Sequence, residues 1–229
     1  MDKLKQYFSD WTKLDFIWLL IANTIILSLG LYWGDGPIAL IFAMSGITCV
    51  IFVSKQMTAN YYFGVINVYL YACLALQAKL YGNVMLNLGF YLPSQFLGLY
   101  LWNKNKRNNK SNKVEAKRLT NKQRLLVAIS SFIAIILYSF VLQSLGGNIP
   151  FIDATSTVLS IIAQILMLFL FVEQWYLWVL VNIVSIIMWV VSLTQGVGDI
   201  STLIMWILYL ANSLYGLYNW RKANQERSN

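Results

Sequence analysis

Apolar residues along this chain gather into long blocks, each closed by glycine, proline, asparagine or a charged residue. A bilayer core about 30 Å thick takes roughly 17 to 25 mostly apolar residues per helix. Eight windows of that kind follow one another, at 14–33, 37–53, 61–77, 81–102, 124–143, 151–172, 175–193 and 200–220. The pattern predicts an all-α integral membrane protein with eight transmembrane helices. Composition agrees: 59% of the 229 residues are hydrophobic and 11% are charged, more apolar surface than a water-soluble fold hides. The first block is too long for the apolar core of a cleavable signal and lacks a small-x-small exit.

Charge adds orientation. No Lys or Arg occurs from Leu125 to Trp220, whereas Lys104, Lys106, Arg107, Lys110, Lys113, Lys117, Arg118, Lys122 and Arg124 crowd the loop between the fourth and fifth windows, with Glu115 their single acid. Cytoplasmic loops carry the excess of Lys and Arg. With eight spans, Lys3, Lys5, Lys13, Lys55, Arg221, Lys222 and Arg227 join that side, only Lys79 lies outside, and both termini are cytoplasmic. Asp35, Asp153 and Asp199 then occupy outside turns. Basic residues mixed with Asn and Ser at a span end read as a topology signal that also touches anionic membrane lipid, not as a nucleic-acid surface.

An internal repeat organises the spans. Gly98-Leu99-Tyr100-Leu101-Trp102 returns as Gly216-Leu217-Tyr218-Asn219-Trp220, and Tyr91-Leu92 as Tyr209-Leu210. Asn67 is matched with Asn182, and Pro37 and Pro150 each open a triplet. Two adjoining triplets would be inverted, and the extra fifth span restores one orientation. The expected architecture is an N-terminal helix (1–35), a first three-helix repeat (36–103), a basic loop with a linker helix (104–150), a second repeat (151–222) and a tail (223–229): a 3+1+3 parallel-repeat bundle. Repeats of this kind hold a substrate site near the midplane, where the two triplets meet. Gly30 and Gly34 form a GxxxG that reads either as a helix contact or as a turn.

Polar side chains inside hydrocarbon are costly and mark substrate pathways. At spacings of three and four, Trp175, Trp178, Asn182, Ser185 and Trp189 share one face of the seventh window, and Asn87, Tyr91, Gln95, Gly98 and Trp102 one face of the fourth. The eighth carries Tyr209, Asn212, Gly216 and Trp220, with Asn67 and Gln164 as single amides elsewhere. Aromatic rings stack on a flat or cationic heterocycle, and Asn or Gln both donates and accepts. The competing reading is membrane anchoring for Trp33, Trp102, Trp175 and Trp220, which lie near span ends, and helix-to-helix bonding for the amides. Pro93 marks a hinge or kink. Glu173 reads either as a gate or as a carboxylate at a helix N-terminus.

Much chemistry is excluded. There is no His, hence no His-ligated metal, haem or Ser-His-Asp triad. Cys49 and Cys73 lie in apolar blocks and read as small fillers. No phosphate-binding loop and no acid or base at mid-span is found, so no cofactor, metal or enzymatic reaction is expected. The balance favours uncoupled movement of a neutral or singly cationic solute.

The chain resembles the bacterial PnuC nicotinamide riboside transporters over nearly its whole length. The similarity is carried by Asp153-Ala154-Thr155-Ser156-Thr157-Val158-Leu159-Ser160 with Ala163-Gln164, by Glu173-Gln174-Trp175-Tyr176-Leu177-Trp178 leading to Asn182, and by Tyr215-Gly216-Leu217-Tyr218-Asn219-Trp220-Arg221-Lys222. Ser45-Gly46, Lys55, Phe63-Gly64, Tyr81-Gly82 and Pro93-Ser94-Gln95-Phe96-Leu97-Gly98 resemble the family in the first half. The resemblance implies a homotrimeric, SWEET-like facilitator of the inner membrane, substrate contacts at Gln95, Trp178 and Asn182, and trapping of the nucleoside by a cytoplasmic kinase. Thiamine or another flat vitamin is the alternative cargo, and a membrane receptor on the same bundle the alternative class.

Overall fold

A computed structural model describes residues 7–77, 81–109, 114–146, 150–194 and 200–225. They are almost entirely helical: α1 (Lys13–Trp33), α2 (Pro37–Ser54), α3 (Asn60–Gln77), α4 (Tyr81–Leu86), a π-helical turn (Asn87–Tyr91), α5 (Leu92–Asn109), α6 (Asn121–Ser144), α7 (Pro150–Leu168), α8 (Gln174–Thr194) and α9 (Ile200–Gln225). Among the described residues, five helices are long and apolar enough to cross a membrane: α1, α2, α6, α7 and the stretch Val84–Asn108. Asn67, Asn182 and Asn212 lie on α3, α8 and α9. Lys79 and Asp199 lie outside the described residues, as does the side chain of Trp189.

Local chemistry sets the helix starts. The Thr12 hydroxyl accepts the Asp15 N–H while the Asp15 carboxylate accepts the Thr12 N–H at 2.7 Å, a reciprocal cap that starts α1. Thr120 and Gln123 do the same for α6. Pro37 sits in the first turn of α2, where its missing N–H removes no helical bond.

Three boundaries depart from the sequence reading. The sixth predicted window ran to Val172, but α7 stops at Leu168 because Leu170 turns left-handed (φ 66°) and the chain reverses there. The apolar run through the turn hides this. The fourth window is not one regular helix: Leu92 N–H reaches back to Asn87 O across a wide π turn just before Pro93. Proline supplies no N–H of its own, and a wide turn accommodates the loss. Past the apolar window, α5 continues to Asn109 and carries part of the basic segment as helix.

The chain divides into two compact units, Met1–Val114 and Glu115–Asn229. In the first, α1 packs on α2, α2 on α3, and α3 on α5; in the second, α6 packs on α7, α7 on α8, and α8 on α9. Each unit closes on the same device. In the first, a Cβ at Gly98 would overlap the Tyr61 ring, which meets Trp102 edge-on at 5.2 Å. In the second, a Cβ at Gly216 would overlap the Trp175 indole, which meets Trp220 edge-on at 6.1 Å. Trp102, Trp175 and Trp220 are thus buried inside their units, not laid in the membrane interface as their place near span ends suggested. Trp33 alone of the four is exposed.

Each unit also ties its first helix to the turn between its second and third. In the first, Lys55 Nζ donates to Asp15 at 2.8 Å, a fully buried pair. In the second, Arg124 Nη2 donates to Glu173 at 2.9 Å. The turns match as well: Gln56 (φ 59°) and Leu170 (φ 66°) hold equivalent places, and their carbonyls accept from Val114 and Lys117, respectively.

Candidate functional site

In the first unit the candidate residues gather where α5 begins. The π turn and Pro93 bring Tyr91 O within reach of two side chains, Ser94 Oγ at 2.7 Å and Gln95 Nε2 at 3.3 Å. Gln95 is buried, and its Oε1 lies against Gly64 of α3 with no hydrogen-bond partner. An unpaired buried acceptor carries the full cost of its lost hydration. Gly64 is what admits it, since any Cβ there would strike the carboxamide. Asn67, one turn further along α3, donates to the Phe42 carbonyl of α2 at 2.9 Å. Pro93 itself is exposed.

In the second unit the stripe predicted on α8 meets the one on α9. Asn182 is 3% exposed and donates through Nδ2 to Ser213 Oγ at 2.8 Å, leaving Oδ1 as an acceptor. Asn212, beside Ser213, is fully buried, as is Gln164 on α7 at 4% exposure. Trp178, one turn before Asn182, is half-buried against Ile135, Ala154, Val158, Leu159 and Val181. Tyr209 meets Trp206 edge-on at 5.8 Å. Trp175 stands apart in the contact with Gly216.

Glu173 immediately precedes α8, yet its carboxylate points to the preceding elements. Oε1 accepts Arg124 Nε (3.1 Å) and Nη2 (2.9 Å), and Oε2 accepts the Leu119 N–H (3.1 Å). It fastens the start of α6 to the start of α8.

Two residues escaped the sequence reading. Ser213 is the partner of Asn182, and Trp206 holds a buried indole N–H with no partner. Both extend the α9 stripe: Trp206 is three residues before Tyr209, and Ser213 three before Gly216. Asn67 and Asn182 are also not strict equivalents, because Asn67 lies six residues after Tyr61 and Asn182 seven after Trp175. They correspondingly bond to different kinds of partner.

Among the described residues no group of three or more Cys, Asp or Glu is placed to hold a metal. The sites offer amide donors and acceptors, indole and phenol rings, and hydroxyls. Such groups hold a flat, polar, uncharged or cationic molecule by stacking and hydrogen bonding.

The family described as nicotinamide mononucleotide transporter matches residues 36–222. This chain belongs to that family. It is 39% identical over 228 residues to the nicotinamide riboside transporter PnuC of Neisseria mucosa, covering 98% of this chain and 87% of the relative. With the transporter of the same name from Haemophilus influenzae, identity is 38% over 224 residues, 96% of this chain and 95% of the relative. The Escherichia coli transporter PnuC is 28% identical over 208 residues, covering 80% of this chain and 84% of that protein. A crystal structure of the vitamin B3 transporter PnuC superposes with a TM-score of 0.80 at 39% identity, covering 94% of each chain. As a PnuC-type chain it is a multi-pass membrane transporter and not an enzyme. The PnuC match spans both units, and with them every candidate residue named above.

Proposed function

We propose that this chain carries nicotinamide riboside across the bacterial inner membrane by facilitated diffusion. The observation that carries the reading is identity of 38 to 39% with two riboside transporters over 96% or more of this chain. The family description names the mononucleotide, and chemistry favours the riboside. The candidate residues Gln95, Asn67, Tyr91, Gln164, Trp178, Asn182, Tyr209 and Asn212 include no cation to meet a phosphate. Lys55, a buried cation, is already held by Asp15. The riboside is itself cationic, which suits aromatic faces.

We assign Trp178 to stacking, Asn182 and Gln95 to hydrogen bonding of the carboxamide or ribose, and Gln164, Asn67, Tyr91, Tyr209 and Asn212 to supporting contacts. Trp175 is assigned to shaping the start of α8. Pro93 and the π turn serve as hinge, and the Arg124–Glu173 pair as latch, in an alternating-access cycle. The full arrangement proposed is eight spans in a parallel repeat, with both termini and the basic loop cytoplasmic, in a homotrimer. What supports the repeat is the Gly-aromatic-Trp contact and the left-handed turn found in each unit.

Radiolabelled nicotinamide riboside uptake into liposomes of the purified protein, without ATP or ion gradients, tests this. Saturable uptake by the wild type, lost in Trp178→Ala and Asn182→Ala and competed by unlabelled riboside but not by the mononucleotide or thiamine, is expected. Folded protein with no uptake, or thiamine competing better, overturns it.

A further inference from the structure

The second unit contains a cavity of about 640 Å³ whose lining includes the Arg124–Glu173 latch but none of the residues assigned to the solute. Its walls include Phe132 and Ile135 of α6, Leu159 of α7, and Leu177 and Leu180 of α8. Arg118, Arg124, Arg221 and Glu173 also line it, and all four stand at the same end: before α6, in its first turn, near the end of α9, and just before α8. Arg124 and Ile135 are 11 residues apart on α6, which sets the cavity's depth at roughly 16 Å at 1.5 Å per residue. That is about half of a bilayer's hydrocarbon core, one leaflet.

The charges do not cancel. Glu173 is bonded to Arg124 and to the Leu119 N–H. Among the described residues Arg118 has no ion pair or hydrogen bond, and Arg221 only lies over the Tyr176 ring at 5.4 Å. Two exposed guanidinium groups at that end therefore suit an occupant that is anionic at one end and apolar for a leaflet's depth. Arg prefers phosphate because its fork matches the oxygens in pairs. A soluble anion has nothing to place against the apolar walls, and an apolar segment alone leaves both arginines unpaired.

We propose that this cavity is a site for an anionic phospholipid of the leaflet on the basic-loop side, with its phosphate on Arg118 and Arg221 and an acyl chain lying along α6. The proposal does not depend on which solute is transported.

The test uses the full chain in detergent, reloaded with phosphatidylglycerol or phosphatidylcholine, with bound lipid counted by native mass spectrometry. The wild type should retain phosphatidylglycerol in preference. Removing both charges in Arg118→Gln with Arg221→Gln should weaken that lipid by roughly thirty-fold, at about one kcal/mol for each basic residue near an anionic headgroup, and weaken phosphatidylcholine, whose choline offsets its phosphate, by much less. Leu180→Trp, which fills the apolar part and spares the arginines, should reduce retention of both lipids. Soluble glycerol phosphate should not compete. Equal retention of the two lipids, displacement by glycerol phosphate, or an unaffected double variant overturns the proposal. So does disulfide cross-linking of Leu180→Cys to a second chain, which assigns the cavity to another copy.

Discussion

Two glycines and two amides decide most at the scale of single residues. Gly98 and Gly216 each sit under an aromatic ring, and one added methyl has to displace a buried Tyr61 or Trp175. Overpacking of this kind costs about 1–3 kcal/mol, so Gly98→Ala and Gly216→Ala should each lower the thermal unfolding midpoint in detergent by several degrees. Gln95 and Asn182 should behave differently. Replacing Gln95 by Leu removes an acceptor that is buried without a partner, so stability should hold or rise while riboside uptake falls. Asn182→Ala loses one interhelical bond, about 0.6 kcal/mol on average in membrane bundles; if uptake survives in that folded variant, Asn182 only joins helices. The amides were legible in the sequence because they recur at helical spacing. Their partners were not: Ser213 is 31 residues from Asn182, and nothing local in the sequence says that a hydroxyl will face that amide. The burial of Trp102 and Trp220 was hidden for a similar reason, since a ring near a span end looks alike whether it faces lipid or a glycine on its own protein.

Among the elements, the helices themselves were legible. Each predicted window holds helix, because apolar length and bounding Gly, Pro and Thr act locally. The irregular backbone was not. Leu170 takes a left-handed conformation inside an unbroken apolar run, and the π turn lies four to eight residues before Gln95 and closer to Pro93, where the sequence announces only the proline. Pro93→Ala restores an N–H and lets the Asn87–Tyr91 turn tighten; the expected outcome is a lower maximal uptake rate with an unchanged half-saturation concentration. The two ion pairs make a graded prediction. Lys55→Met removes the cation from the buried Asp15 carboxylate, which keeps its Thr12 bonds, a change that costs about 3–5 kcal/mol and should sharply reduce the unfolding midpoint or abolish folding. Arg124→Gln should cost much less, since that side chain is 48% exposed and water takes over part of its role. Replacing Asp15 and Lys55 together by Asn and Met should recover most of what Lys55→Met alone loses.

For the whole molecule, the distribution of charge bears on energetics. With cations concentrated before α6 and at helix ends, and amides and aromatic rings as the mid-span candidate groups, the proposed facilitated diffusion calls on neither a proton relay nor a cation cage. Uptake should therefore be unchanged by ionophores that collapse proton and sodium gradients, and accumulation above the external concentration should require a phosphorylating enzyme inside the vesicle. Dependence of initial rate on an imposed gradient would show coupling instead.

The two ties at the first-helix ends have opposite polarity. In the first unit the helix offers the anion and the turn the cation; in the second the helix offers the cation and the turn the anion. They differ in register as well: Lys55 comes one residue before the left-handed Gln56, whereas Glu173 comes three after the left-handed Leu170. Each first helix therefore carries a charge that the turn of its own unit answers. Swapping the polarity of one pair alone would keep both native contacts and leave register as what distinguishes them.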